Sequence, residues 1–388
     1  MKFTKILLAL SACSLFSATF AYAQSSDGRH SEFIYDLGFD LRFDNREYAP
    51  SDFSGSGTIF GTRFYPTIGL RTGSEGSKHS LIGGAEIRKD FGNINDIGAK
   101  ILSDFFYYYR YDYNEAERHF SITGGVFPRT KCLEQWSTAF ISERQAWYDP
   151  YIEGVLFSYA TPRTVVELGC DWMGKYGASS SIKEQFLIFS AGHHQVSDWF
   201  NVGYNAYMVH FASSIEAPGV CDNALVEPYM VFDLKKMSFL DDFYLKLGYI
   251  QSVQRDRTVT SEFELPGLAE LTMRMEKGFW GASNSLYIGK DIMPLYYKSD
   301  SAGVPYVDRL YFNDPFFRIY NDSSKSGSYD RLEFFYSRVL GGSLRIKVSA
   351  VFHFNNVSYS GSQQIVGFNY TFSGQPHQSL AFSSISLR

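Results

Sequence analysis

The feature that most constrains this chain is an alternation of period two that recurs nearly from end to end. In the stretch DFFYYYRYDY, the odd positions Phe105, Tyr107, Tyr109, Tyr111 and Tyr113 are all aromatic. The even positions Asp104, Phe106, Tyr108, Arg110 and Asp112 carry the charge. Successive side chains of a strand point to opposite faces, so this stretch has one aromatic face and one face ending in charge. The pattern repeats elsewhere: Phe33, Tyr35, Leu37, Phe39, Leu41 and Phe43 alternate with Glu32, Asp36, Asp40, Arg42 and Asp44. Further on, Phe243, Leu245, Leu247 and Tyr249 oppose Lys246, and Leu344, Ile346, Val348, Ala350, Phe352 and Phe354 oppose Arg345, Lys347 and His353.

Sixteen such segments fall near 32–44, 57–71, 79–91, 98–113, 118–128, 149–160, 163–173, 182–194, 198–211, 225–235, 242–254, 268–277, 278–290, 329–340, 343–354 and 363–372. Segments of about ten alternating residues are the length of a tilted strand crossing a bilayer. The connections alternate between tight ones (114–117, 161–162, 195–197, 277–278, 341–342) and longer ones (45–56, 129–148, 212–224, 255–267, 291–328). Together these predict an all-β fold: a transmembrane antiparallel β-barrel of about sixteen strands, within a range of fourteen to eighteen, with short periplasmic turns and longer extracellular loops. A soluble sandwich is disfavoured by the charge on nearly every inner face and the lack of a second apolar set.

Composition agrees. Aromatics make up 18% of the chain, and tyrosine and phenylalanine supply 63 of its 68 aromatic residues, the amphipathic rings that suit a boundary between grease and water. The amino terminus, MKFTKILLALSACSLFSATFAYAQ, reads as a signal peptide over 1–23. Its Leu10-Ser11-Ala12-Cys13 also fits a lipoprotein box, but with a short apolar run before the cysteine. The barrel is expected over 24–372, with 373–388 a periplasmic tail or a misplaced final strand. Beyond the signal, 34 basic residues meet 41 acidic ones, a net charge of −7, and no basic patch argues for nucleic acid. Three cysteines remain (Cys132, Cys170, Cys221), of which Cys132 and Cys221 fall in expected outer loops where they can pair. No cofactor or metal motif is present.

Several turn and loop segments also resemble a known family. GVFPR (125–129), YDPYIEG (148–154), KGFWGASNSLYIGKDIMPLYY (277–297) and NDPFFR (313–318) are similar to uncharacterised porin-like outer-membrane β-barrels of the Bacteroidetes. The resemblance implies a channel-type protein surrounded by outer-membrane lipid, and it brings no catalytic residues.

A channel acts through its lumen, so the candidate residues are inner-face charges: Glu86, Arg88, Arg110, Asp112, Glu167, Asp171, Arg331, Glu333, Arg345 and Lys347. Mixed signs imply a transverse field over small polar solutes rather than selection for one charge. The segment 129–148 is a candidate constriction loop through Arg129, Lys131, Glu134, Glu143 and Arg144, the alternative being a cap on the rim. Two other readings stand beside the channel. The segment 291–328, with NDPFFRIY, is long enough to dock a surface lipoprotein or secretion partner, and a homotrimer is equally compatible. A barrel phospholipase or protease would need one of His193, His194, His210 or His353 as a base, but none lies in a recognisable motif.

Overall fold

The computed structural model describes residues 30–49, 55–92, 104–320 and 325–373. The expected signal peptide and all of the expected tail except Ser373 lie outside the described residues, as do 98–103 of the expected fourth strand.

The strands are β1 (His30–Tyr48), β2 (Gly57–Gly73), β3 (Ser77–Asp90), β4 (Asp104–Glu115), β5 (Arg118–Pro128), β6 (Tyr151–Ala160), β7 (Thr164–Gly174) and β8 (Gln185–Ser197). They continue as β9 (Phe200–Phe211), β10 (Cys221–Asp233), β11 (Asp242–Asp256), β12 (Gly267–Lys277), β13 (Trp280–Lys290), β14 (Ser326–Leu340), β15 (Leu344–Asn355) and β16 (Ser358–Ser373). Each pairs antiparallel with its chain neighbours, and β1 pairs with β16 from Asp36↔Ser373 to Tyr48↔Gly361, closing a sixteen-stranded barrel. Closure removes the unpaired edges that an open sheet would present.

The opening alternation maps directly onto two environments. On β4, Phe105 and Tyr107 are 67% and 66% exposed, whereas Phe106 and Tyr108 are each 2% exposed. The outward set on other strands is equally apolar, including Phe33, Leu81, Leu168, Ile188, Leu271 and Phe334. Aromatic clusters rim this belt: Trp172, Phe186 and His210 stack near the long-loop end, and Trp199, Phe200 and Phe232 meet near the short-turn end. Such a surface is solvated by lipid, because water would leave this contiguous apolar belt unpaid by any partner. No helix among the described residues is long and apolar enough to cross a membrane.

The inner wall has its own construction. Tyr65, Phe106, Phe189, Tyr229 and Phe335 each sit directly opposite an inward glycine of the neighbouring strand: Gly38, Gly84, Gly169, Gly203 and Gly281. A Cβ at these glycines would come within 1.8–2.4 Å of a ring atom. The rings therefore lie against the wall over glycine, a packing that also pins strand register.

Four of the expected short turns fall where expected, but 195–197 lies inside β8 and the β8–β9 turn is 198–199 instead. Gly341 and Gly342 both have positive φ, as a tight hairpin requires. Two other connections depart from expectation. The β10–β11 connection, 234–241, is the longest on the short-turn side and contains a 3₁₀ turn. The β15–β16 connection is a two-residue turn, Asn356-Val357, at the end where longer loops were expected. Both residues have positive φ (49° and 68°), so a β-branched residue occupies a backbone region that glycine or asparagine usually fills.

Candidate functional site

Two long connections fold into the barrel rather than over it. The β5–β6 connection leaves the wall early, because β5 and β6 are only 11 and 10 residues long. Arg129 holds its base, bridging Asp149 of the same connection (3.0 Å) and Asp171 of β7 (2.6 Å), and Asp171 also accepts the Glu153 N–H. Deeper in, Glu167 of β7 accepts the backbone N–H groups of Leu133 (2.8 Å) and Glu134 (2.9 Å) together with the Ser158 hydroxyl (2.8 Å). Glu134 then reaches His193 of β8 at 2.5 Å. Trp136 and Phe140 seat the segment against Phe189 and Tyr207. A helical turn, α1 (Glu143–Tyr148), follows, capped by the Ser142 hydroxyl accepting from the Gln145 N–H.

The β13–β14 connection packs on top of it. Ile292, Met293, Leu295, Leu310, Phe312, Phe316, Phe317 and Ile319 are all buried, in one cluster with Phe127, Phe140, Tyr287 and Tyr329 of the first connection and the wall. Two backbone bonds stitch the connections together, Ser142 N–H to the Phe312 carbonyl (2.7 Å) and Asp314 N–H to the Thr138 carbonyl (3.1 Å). This corrects the expectation that NDPFFRIY is displayed for docking. Its aromatic residues are too apolar to leave in water when a lumen lined with Tyr287, Tyr329 and Phe211 is available to receive them.

The two connections narrow the lumen to small cavities beside α1. Toward the long-loop end lies a cavity of about 200 Å³, bounded by Arg46, Ser142, Arg144, Tyr296, Asp308 and Asp314. On the other side of α1 are cavities of about 200 and 350 Å³ that share Glu143, Glu333 and Lys347. One of these shares Gln135, Arg274 and Lys347 with a vestibule of about 560 Å³ at the short-turn mouth.

A line of alternating charge connects the two sides of α1. Arg46 contacts Asp44 (2.8 Å), Asp44 contacts Arg42 (2.9 Å), and Arg42 contacts Glu143 of α1 (2.5 Å). Glu143 also meets Arg331 (3.2 Å), Arg331 meets Glu333 (2.9 Å), and Glu333 meets Lys347 (2.9 Å). Burial would raise the Glu143 carboxyl, but Arg42 and Arg331 outweigh it and hold it at about 2. It is therefore ionised at neutral pH. The carboxyls of the second connection behave oppositely: burial pushes Asp314 up to about 6 against the pull of Arg46, and Asp291 up to about 7.

The inner-face candidates all point inward, in separate groups. Arg331 contacts Glu143 and is linked through Glu333 to Lys347, and Arg345 lines the short-turn vestibule. Glu86 meets Arg63, Arg88 and the Tyr151 hydroxyl, while Arg110 pairs with Asp112. Glu167 and Asp171 serve as anchors for the inward connection. Among the loop candidates, Glu143 alone joins the charged line beside α1. Arg129 and Glu134 fasten the connection, Lys131 lies over the Tyr108 ring, and Arg144 pairs with Asp308 beside the outer cavity. The sequence reading omitted Arg42, Asp44, Arg46 and Arg63 from its candidates, although Arg42 and Asp44 stand on the charged face of the first segment. It also omitted the triad in which Lys246 is held by Glu227 (2.5 Å) and Glu270 (3.0 Å).

Cys132 and Cys221 are both free thiols, so the expected pairing is not made. Cys221 opens β10 and bonds the Tyr306 hydroxyl instead. Of the histidines weighed as bases, His193 is held by Glu134 and His353 by Tyr329, Gln363 and the face of Phe316, while His210 stacks on Phe186 and the exposed His194 meets the Thr164 hydroxyl.

No family model matches the sequence, and no curated protein does either. Among solved structures, the chain is similar to the outer membrane protein OprD from Pseudomonas aeruginosa, with 10% identity and a TM-score of 0.47 over 88% of this chain and 94% of that one. Pseudomonas aeruginosa OpdQ gives 10% identity and 0.47 over 89% and 98%, and Acinetobacter baumannii OccAB4 gives 7% and 0.42 over 90% and 100%.

Proposed function

We propose that this protein is a porin-like channel of a Gram-negative outer membrane, exported by the signal over residues 1–23, through which small polar solutes diffuse passively. The observation that carries this reading is the pairing of a closed, lipid-facing barrel with a lumen whose cavities on both sides of α1 are lined by charge. A sixteen-stranded barrel is wide enough to hold an aqueous channel. The two inward connections reduce that width, so the route for solutes runs past α1 along the β1 and β14–β16 wall. Transport of this kind works by geometry and field, with no reacting group and no cofactor.

Planar-bilayer conductance of the refolded, full-length protein tests the reading. Discrete steps, with a reversal potential set by the lumen charges, are expected. A folded, heat-modifiable barrel that passes no current under any salt would overturn it.

A further inference from the structure

We infer that the cavity on the long-loop side of α1 is a binding site for a small neutral polyol, of the size of a single sugar ring, with the Asn313 side chain as its polar contact. The inference rests on the channel reading above and names a class of solute for it.

Asn313 is the first ground. It belongs to the β13–β14 connection, lines the cavity and is only 5% exposed, yet neither its Nδ2–H groups nor its Oδ1 has a hydrogen-bond partner among the described residues. A carboxamide carries two donors and an acceptor, and burying all of them unmade is costly. A leucine of similar shape would avoid that cost, so the amide is kept at the expense of packing stability. A solute that enters the cavity and both donates and accepts removes the penalty.

The balance of charge is the second ground. Arg46 and Arg144 border the cavity together with Asp308 and Asp314. Arg46 is already held by Asp44 (2.8 Å) and Arg144 by Asp308 (3.5 Å). With its cations answered by carboxylates, the cavity gives an ionic solute little to neutralise. A hydroxyl both donates and accepts, so a polyol suits the amide, the guanidinium groups and the carboxylates alike. The third ground is shape. Tyr148 and Tyr296 add rings to the same wall, an apolar body against which the C–H face of a sugar packs. A few polar groups set among apolar ones is the usual make-up of a small-molecule site, and about 200 Å³ suits one ring. The Arg144–Asp308 pair is 60% and 67% exposed, so this side of the cavity meets the water from which a solute arrives.

The test uses D-glucose as the probe, added to the long-loop side of the full-length protein in planar bilayers at fixed salt, with wild type, Asn313→Leu and Asn313→Asp compared. Wild-type ion current should fall saturably with glucose, and the half-blocking concentration should rise about tenfold in Asn313→Leu, the loss of roughly one buried hydrogen bond. Asn313→Asp, which gives up the donors, should also weaken the block. Proteolysis within 291–320 should be no faster in Asn313→Leu than in wild type, because no satisfied bond has been removed. A current that falls only with solution viscosity, equally in all three proteins, would overturn the site while leaving the channel intact. An equal saturable block in all three would overturn the role of Asn313. If the folded proteins pass no current, the channel reading fails, and calorimetric titration in detergent still decides the site: saturable heat with glucose that Asn313→Leu abolishes supports it, and heat with sodium acetate but none with glucose overturns it.

Discussion

Glu167 offers a quantitative check on how the first connection is held inside the barrel. We expect Glu167→Ala to release the deep part of that connection without unfolding the barrel. The carboxylate accepts three hydrogen bonds, two of them from the Leu133 and Glu134 N–H groups. Bonds to a charged acceptor are worth about 1.5 kcal/mol each at the low end, so losing the two backbone bonds costs the docked segment about 3 kcal/mol. At about 1.4 kcal/mol per factor of ten, local opening should become roughly 100-fold more frequent. Amide hydrogen exchange of residues 132–136 in detergent reads this directly, with strand amides of β7 as the internal reference. Glu167→Gln, which keeps one acceptor oxygen, should fall between the two. Protection of Leu133 and Glu134 unchanged in Glu167→Ala would refute the idea that this carboxylate seats the connection.

Three further perturbations probe other parts of the argument. Phe317→Ala removes a ring wedged against Tyr287 and Tyr329 and should cost about 3–5 kcal/mol of docking, seen as rapid proteolysis within 291–320 while the barrel stays heat-modifiable; resistance equal to wild type would count against the packing. Asp291 and Asp314, raised to about 7 and about 6, bind more protons docked than released between about pH 4 and 7, so docking should weaken as pH rises through that window and level off above it. Proteolysis normalised to an unstructured peptide should show this slope, and Asp291→Asn with Asp314→Asn should flatten it. Leu168→Arg, placed on the lipid face of β7, should lower refolding stability in vesicles by about 2–4 kcal/mol, whereas no loss on urea titration would contradict the assigned orientation.

Which parts of this molecule are legible in the sequence follows from what each part is solvated by. The strands face lipid on one side, so residues such as Phe105, Tyr107 and Leu168 announce their orientation through alternation alone, and register follows from the same parity. The inward connections give no such signal. Trp136, Phe140, Phe312 and Phe316 have no fixed period, and nothing local distinguishes a loop that caps the rim from one that fills the lumen. The available clue is bulk: the 291–328 segment carries more aromatic side chains than an exposed loop can leave in water. Pairings such as Arg42 with Glu143, 101 residues apart, depend on how deep each connection descends. That depth is set by Glu167 and by the short β5 and β6, which no motif records.

The attachments of the first connection also differ in strength. Its deep end is held by a buried carboxylate, by Glu134 on His193, and by rings seated on the wall, contacts that together resist release by several kcal/mol. Its far end is held to the β1 and β14 wall by two ion pairs of Glu143, whose side chain remains 30% exposed. Partly hydrated pairs of that kind contribute only about 1 kcal/mol each. The Glu143 pairs therefore yield before the deep anchor does, while Trp147, buried beneath Arg63, and Tyr148, whose carbonyl accepts from Arg88, keep α1 itself seated on the wall. A change in the Glu143 pairs is local to that side chain, and the barrel and the deep anchor need not change for it to occur.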